Sequence, residues 1–238
     1  MKSFNLLKGK NVLVTGATGG IGKFICSKFI SSGSNVFAVG RSKEKLDLLS
    51  KSLGNIKIYN ANLADIDSIN DLNNQVTKDS GGIDILINNA GIFYTLSIDD
   101  INKEEYDSFF NINVRAPILL SSFHSNSMKL KNWGRIFNIG SSSSYNGGKY
   151  TSLYCATKHA LLGFSRSMSD ELKKFNIRVT NLSPSSTKTN IGKIPLATNQ
   201  DYNTFIDPEE VAEELIFLCN FNSNMEVKEI LLNRVWTQ

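Results

Sequence analysis

Apolar positions along this chain fall into two alternating patterns. Short runs of β-branched and aliphatic residues occupy 11–15, 35–39, 56–60, 83–88, 134–140, 177–182 and 228–232, and each is predicted as a strand. Between them apolar residues recur every three or four positions over 20–31, 43–53, 66–78, 103–128, 152–174 and 208–219, which predicts helices. Repeated strand-helix alternation predicts a parallel sheet, because parallel neighbours need crossovers and the crossovers cover both faces with helices. The expected fold is α/β and doubly wound: a seven-stranded parallel sheet flanked by helices on both faces. No low-complexity linker or charge block interrupts the pattern, so residues 1–238 are expected to form a single domain. Ligands of such folds bind beyond the carboxyl ends of the strands, so the segments following the strands are where chemistry is expected.

Composition narrows the classes. Of 238 residues, 41% are hydrophobic and 20% charged, the balance of a soluble globular protein. The 26 Lys and Arg against 22 Asp and Glu leave a net charge of +4, scattered along the chain, so the basic stripe of a nucleic-acid binder is absent. No uncharged apolar run approaches the roughly 18 residues of a membrane span, and Lys8 and Lys10 interrupt the N-terminus before a signal-peptide core could form. Neither nucleic acid nor a membrane is therefore an expected partner. Cys26, Cys155 and Cys219 are odd in number and widely spaced, against a disulfide framework or a zinc site. A cytoplasmic location is the expectation.

Directly after the first strand stands Thr15-Gly16-Ala17-Thr18-Gly19-Gly20-Ile21-Gly22, which opens the first helix. A glycine loop there lets the backbone approach a pyrophosphate, whose charge the helix N-terminus stabilises. The spacing of Gly16, Gly20 and Gly22 is not the commonest one, and glycines after a strand also make plain turns. The second strand runs into Val39-Gly40-Arg41-Ser42-Lys43, with no acid before Glu44. An acid at this place would hold the adenosine ribose hydroxyls, whereas a cation accommodates a 2′-phosphate, so NADP is expected over NAD. Arg41 and Lys43 also read as an ordinary solvated helix start. After the fourth strand, Asn88-Asn89-Ala90-Gly91 is small and polar at a ligand-facing strand end, or a turn.

Tyr154 and Lys158 are four apart in a helical stretch and so share one face. A free phenol titrates near pKa 10, and a neighbouring ammonium is expected to lower it toward the range where it exchanges protons at neutral pH. Ser141 follows the fifth strand, close enough in a strand-loop-helix unit for its hydroxyl to share a substrate oxygen with that phenol.

Taken together, Thr-Gly-x-x-x-Gly-x-Gly at Thr15 to Gly22, Asn-Asn-Ala-Gly at Asn88 to Gly91, Asn113, Ser141, and Tyr-x-x-x-Lys at Tyr154 and Lys158 resemble the short-chain dehydrogenase/reductase family over nearly the whole chain. The resemblance implies a Rossmann fold and hydride transfer between NADP(H) and a small or medium carbonyl or alcohol substrate, the cofactor supplying the difficult chemistry. It makes Tyr154 the general acid or base and Lys158 the group that lowers its pKa and holds the nicotinamide ribose. Ser141 then polarises the substrate carbonyl, and Asn113 anchors a proton-relaying water. Gly16, Thr18, Gly20, Ile21, Gly22, Arg41, Asn62, Leu63, Asn89, Ala90, Gly91, Tyr154, Lys158, Pro184 and Thr189 are the implied cofactor contacts, Thr189 through the carboxamide.

Some positions depart from the family. Asn62 stands where an aspartate commonly meets the adenine amino group; Ser185 replaces a glycine after Pro184, putting the backbone there in question; Gly140 replaces a serine or threonine before Ser141. The chain end is similar to the branch containing NADP-dependent 3-hydroxy acid dehydrogenases, and 3-oxoacyl thioester reduction competes with 3-hydroxy acid oxidation. Residues 190–206 are expected to form a substrate lid, and Lys188 or Lys193 is a candidate for a substrate carboxylate. His124 and His159 lie on separate predicted helices without carboxylates at ligand spacing, and Ser141 lacks a Gly-x-Ser-x-Gly turn, so neither a metal site nor a hydrolase triad is expected. The resemblance implies a homodimer or homotetramer, paired through the apolar helices around Phe109 to Phe123 and Ala160 to Met168. The alternative to an enzyme is a non-catalytic cofactor-sensing member of the same fold, which need not keep Asn113, Ser141, Tyr154 and Lys158.

Overall fold

The computed structural model describes residues 6–54, 56–190, 201–221 and 224–235. Seven strands, β1 (Asn11–Thr15), β2 (Asn35–Gly40), β3 (Ile56–Asn60), β4 (Ile85–Asn88), β5 (Gly134–Ile139), β6 (Ile177–Pro184) and β7 (Glu229–Leu232), form one sheet in the order β3-β2-β1-β4-β5-β6-β7. Every pairing is parallel. The order reverses at β1, between β2 and β4, which opens the crevice where a doubly wound sheet binds its ligands.

The helices are α1 (Gly20–Ser31), α2 (Lys43–Leu53), α3 (Ile66–Ser80), α4 (Lys103–Phe110), α5 (Ala116–Lys131), α6 (Ser152–Leu172) and α7 (Pro208–Cys219). On one face, Ile25 and Phe29 of α1 and Val211, Leu215 and Leu218 of α7 pack on Val12, Val14, Ile87 and Phe137 of the sheet. On the other, Ile69 and Leu72 of α3, Leu120 of α5, and Met168 and Leu172 of α6 pack on Leu13, Leu86, Ile136 and Val179. Both faces of the strands are thus buried, which is why they read as continuous apolar runs rather than as alternation. No helix among the described residues is long and apolar enough to cross a membrane.

Several boundaries differ from the periodicity by one to three residues, and three differences have a local reason. β4 begins at Ile85 rather than at 83 because Asp84 uses its side chain, accepting the Asn11 N–H at 2.9 Å and pairing with Lys131 at 2.8 Å. β6 extends to Pro184 because β7 continues alongside it as far as Leu232. The single helix expected over 103–128 is two helices joined by a π-helical turn, Asn111–Arg115. Pro117, in the first turn of α5, has no N–H to donate back along the helix, and an inserted residue relieves that misfit.

Beneath the catalytic end the core turns polar. Asn88, Asn138 and Asn181 lie in register on β4, β5 and β6 and are all buried. Asn88 Nδ2 donates to Ser121 Oγ of α5 (3.1 Å) and to Asn138 Oδ1 (2.8 Å), while Asn138 Nδ2 donates to Ser165 Oγ of α6 (2.8 Å). The two helices are thereby keyed to the sheet by direction-dependent bonds as well as by apolar area.

Candidate active site

A cleft of about 750 Å³ opens beyond the carboxyl ends of the strands. Gly16, Thr18, Gly20, Ile21, Arg41, Asn62, Leu63, Asn89, Ala90, Gly91, Ser141, Tyr154, Lys158, Pro184 and Thr189 all line it. Gly22, expected as a cofactor contact, and Asn113, expected as a catalytic residue, are not among the residues that line it.

At the nucleotide end the glycines are dictated by space. Gly16 has φ +63°, and a Cβ there would lie 2.8 Å from Ala90 Cα; one on Gly22 would lie 2.2 Å from the Gly16 carbonyl oxygen. A Cβ on Gly20 would come 2.4 Å from Thr189 Cγ2, so Thr189 sits directly over the loop. Thr15 Oγ1 accepts the N–H groups of Asn89 and Ala90, each at 3.0 Å, and Asn89 Nδ2 donates to the Thr15 and Gly16 carbonyls at 3.0 and 3.1 Å. The Asn-Asn-Ala-Gly segment therefore braces the glycine loop. Side chains of Ser42, Asp65, Asn102 and Asp207 cap α2, α3, α4 and α7, whereas Gly19 offers α1 no side-chain cap. The first-turn N–H donors of α1 are left for an anion in the cleft, and the backbone approach is open; this cradle fits a dinucleotide pyrophosphate.

Arg41 is exposed at the end of β2 and lines the cleft together with Ser42 and Lys45. The sequence reading paired Arg41 with Lys43. Lys43 instead turns to Asp47, 3.3 Å away and one turn on, and the second cation at this end of the cleft is Lys45. Asn62 is exposed, its Oδ1 accepting the Ala64 N–H at 3.1 Å, and Leu63 beside it is buried.

At the other end Ser141, Tyr154 and Lys158 converge. Lys158 is 5% exposed, its Nζ donating to the Ile139 carbonyl at 2.8 Å and lying 5.6 Å from the Tyr154 ring centroid. Burial pushes the Lys158 ammonium down to about 8 and the Tyr154 phenol up to about 12, the Ser141 hydroxyl partly offsetting the latter. The phenol thus moves in the direction opposite to the expected lowering, with desolvation the largest cause, while the Lys158 ammonium gives its hydrogen bond to Ile139. Asn113 is buried in the π-helical turn, its Oδ1 accepting the Ile92 N–H (2.8 Å) and its Nδ2 donating to the Ile92 carbonyl (3.0 Å) and Thr157 Oγ1 (3.2 Å). Gly91 connects this group to the cleft: a Cβ there would be 3.3 Å from Asn113 Oδ1 and 3.8 Å from Lys158 Nζ.

Sequence reasoning missed three contributors. Lys45 stands two residues beyond Lys43, where the quoted segment ended; Thr157 braces Asn113 and donates to the Tyr154 carbonyl at 2.7 Å; Phe93 packs edge-on to Tyr154 with centroids 4.7 Å apart. Phe93 follows the Asn-Asn-Ala-Gly segment, the one signal that could have found it. Of the expected lid, 191–200, with Lys193, lie outside the described residues, and Lys188 does not line the cleft. His124 is buried in α5, and burial pushes its imidazole down to about 4; His159 Nδ1 lies 2.9 Å from the Cys155 carbonyl.

A family profile described as short chain dehydrogenase matches residues 10–199. The chain belongs to the short-chain dehydrogenase/reductase family. It is 29% identical over 232 residues to an uncharacterized oxidoreductase of Staphylococcus aureus (strain MW2), covering 97% of this chain and 99% of that protein. It is 32% identical over 226 residues to the 3-oxoacyl-(acyl-carrier-protein) reductase of Aquifex aeolicus (strain VF5), covering 90% and 91%. A solved metagenomic short-chain oxidoreductase in complex with NADP superposes with a TM-score of 0.85 at 26% identity, covering 98% of this chain and 100% of that one.

Two departures from the short-chain dehydrogenase/reductase pattern now have a physical account. Ser185 is not among the described residues with positive φ, so glycine's freedom is not needed; its N–H donates to the Leu232 carbonyl (2.8 Å) and its Oγ accepts the Arg234 N–H (3.1 Å), tying down the chain end. A Cβ on Gly140 would lie 2.4 Å from Ser183 Oγ and 2.7 Å from Asn181 Nδ2, so the family's usual serine or threonine would collide here with the buried polar row.

Proposed function

We propose that this short-chain dehydrogenase/reductase is an NADP-dependent carbonyl reductase or alcohol dehydrogenase acting on a small or medium substrate. The observation that carries the reading is a single cleft joining an uncapped glycine-loop helix and an acid-free, cationic β2 end to Ser141, Tyr154 and Lys158. When bound, the cofactor supplies the hydride to the carbonyl carbon or accepts it from the alcohol. Tyr154 delivers the proton to the carbonyl oxygen during reduction and removes it during oxidation, and Ser141 donates a hydrogen bond to the same oxygen. Lys158 holds the nicotinamide ribose hydroxyls and keeps positive charge beside the phenol. Asn113 fixes the Ile92 backbone and anchors a proton-relaying water. Gly16, Thr18, Gly20, Ile21 and Gly22 form the pyrophosphate cradle, Asn62 and Leu63 flank the adenine, Pro184 and Thr189 meet the nicotinamide, and Arg41 with Lys45 receives the 2′-phosphate. The NADP-bound relative supports the cofactor assignment.

The same reading makes 1–238 one functional domain, residues 190–206 the substrate cover, and a dimer or tetramer the working form. Tyr106 and Phe123, both partly exposed on α4 and α5, support that assembly. Three free, buried cysteines accord with a reducing cytoplasm.

The test is titration of the protein with NADPH and NADH, then oxidation of the tighter cofactor against ketones, 3-oxo acids and 3-oxoacyl thioesters. NADPH is expected to bind at least about tenfold tighter, a margin that Arg41→Ala combined with Lys45→Ala erases. Equal affinities in the unsubstituted protein sink the 2′-phosphate assignment. Binding without turnover of any compound favours the non-catalytic sensor.

A further inference from the structure

Among the described residues, the charged side chains that line the cleft are all cationic: Arg41, Lys45, Lys149 and Lys158. No Asp or Glu lines it among the described residues, and the sequence of 191–200 contains neither. On the proposed function Arg41 and Lys45 serve the nucleotide and Lys158 the catalytic centre. Lys149 has no such task. It lies on the loop joining Ser141 to Tyr154, and therefore at the substrate end.

That loop is built rather than slack. Thr151 Oγ1 donates to the Gly148 carbonyl at 2.8 Å, and the Thr151 N–H reaches the same oxygen at 3.2 Å. On the other side of Lys149 the Tyr150 carbonyl accepts the Leu96 N–H at 2.8 Å, and Tyr150 has φ +61°. A bulky residue holds the left-handed region only where its surroundings over-determine it. The backbone is pinned on both sides of Lys149, and its Nζ stands 4.7 Å from the Tyr150 ring centroid. No carboxylate among the described residues pairs with it. A cation with no ion-pair partner, in a concave site whose other charges share its sign, attracts an anion more strongly than an isolated surface lysine does.

We infer that Lys149 is a specificity-determining residue of the substrate end, and that the carbonyl substrate carries an anionic group that Lys149 meets. This deepens the reading under Proposed function and rests on it. The sequence pointed to Lys188 or Lys193 for such a role, whereas the cleft presents Lys149. The negative charge can be the carboxylate of a short oxo or hydroxy acid, or a phosphate of a pantetheine-type thioester; the oxyanion chemistry recognised by the ammonium is common to both.

The experiment compares kcat/KM for acetoacetate, methyl acetoacetate and acetoacetyl-coenzyme A in the full chain, Lys149→Gln and Lys149→Arg, with NADPH affinity measured in each. The expected result is that Lys149→Gln lowers the ratio of an anionic substrate to the neutral ester about tenfold, through KM, while Lys149→Arg restores most of it. A fall confined to acetoacetate identifies the carboxylate, and one confined to the thioester identifies the phosphate. An unchanged ratio for both overturns the inference. If NADPH binds but none of the three is reduced, the choice between enzyme and sensor passes to the wider panel above, and the anion site is judged by binding of acetoacetate to the protein–NADPH complex. Binding at least about tenfold weaker in Lys149→Gln upholds the site, and equal binding rejects it.

Discussion

At the nucleotide end of the cleft Gly16, Gly20 and Gly22 work by lacking side chains, whereas at the catalytic end Ser141, Tyr154 and Lys158 work by what their side chains carry. The first end is shaped by close approaches, with Cβ clearances of 2.2 to 2.8 Å at those glycines, and Thr15 and Asn89 brace it through bonds to backbone groups. The second rests on side-chain bonds: Asn113 to Ile92 and Thr157, Lys158 to Ile139, and the asparagine row to Ser121 and Ser165. Damage should therefore be steric at one end and chemical at the other. Burial accentuates the contrast, because it alters the titration of Tyr154 and Lys158 while leaving nothing comparable to alter in a glycine loop.

The largest expected effect tests the chemical end. Tyr154→Phe removes one hydroxyl without opening a cavity and is expected to lower turnover by about a thousandfold while NADPH affinity and Tm stay near their original values. Comparable loss of turnover and of NADPH affinity would erase the division between the two ends.

His124 extends the contrast to stability. Its imidazole is pushed down from 6.5 to about 4 by burial, so between those values the unfolded chain binds a proton that the folded protein refuses. Stability therefore rises with pH across that window, and acidification through it costs about 3 kcal/mol from this group alone. Urea unfolding at pH 7 and near pH 4.5 should show most of that difference, and His124→Phe should remove it. An unchanged slope in the variant would mean that His124 does not titrate as its burial dictates.

The smallest of the three effects probes the steric end. Gly22→Ala places a Cβ against the Gly16 carbonyl and is expected to cost about 1–3 kcal/mol of stability. NADPH affinity should fall with it, whereas the pH dependence of whatever turnover remains should keep its shape. A variant with full affinity and Tm would show that the loop has slack that its clearances deny.

Much of the frame was legible from residue order. The bounds of β1, β3, α1, α2 and α7 coincide with the periodic segments, because period, caps and glycine or proline punctuation act within a few residues. The motif residues were also legible as candidates, since a glycine loop after a strand and a Tyr-x-x-x-Lys face on a helix are local patterns. The π-helical turn was not. Its cause, Pro117, is visible in the sequence, but the compensation, burying Asn113 against Ile92 and Thr157, joins segments far apart in the chain.

The sequence by itself determined the α/β alternation, the family, and which side chains could do chemistry. Only the tertiary structure decided that Lys45 rather than Lys43 faces the cleft, that Ser185 ties the chain end without glycine's freedom, and that Lys149 lines the cleft where Lys188 does not. It also reversed the expected titration of Tyr154. The physical reason is one of range: periodicity and turn chemistry are settled among near neighbours, whereas desolvation and the choice of partner depend on what distant segments bring around each side chain.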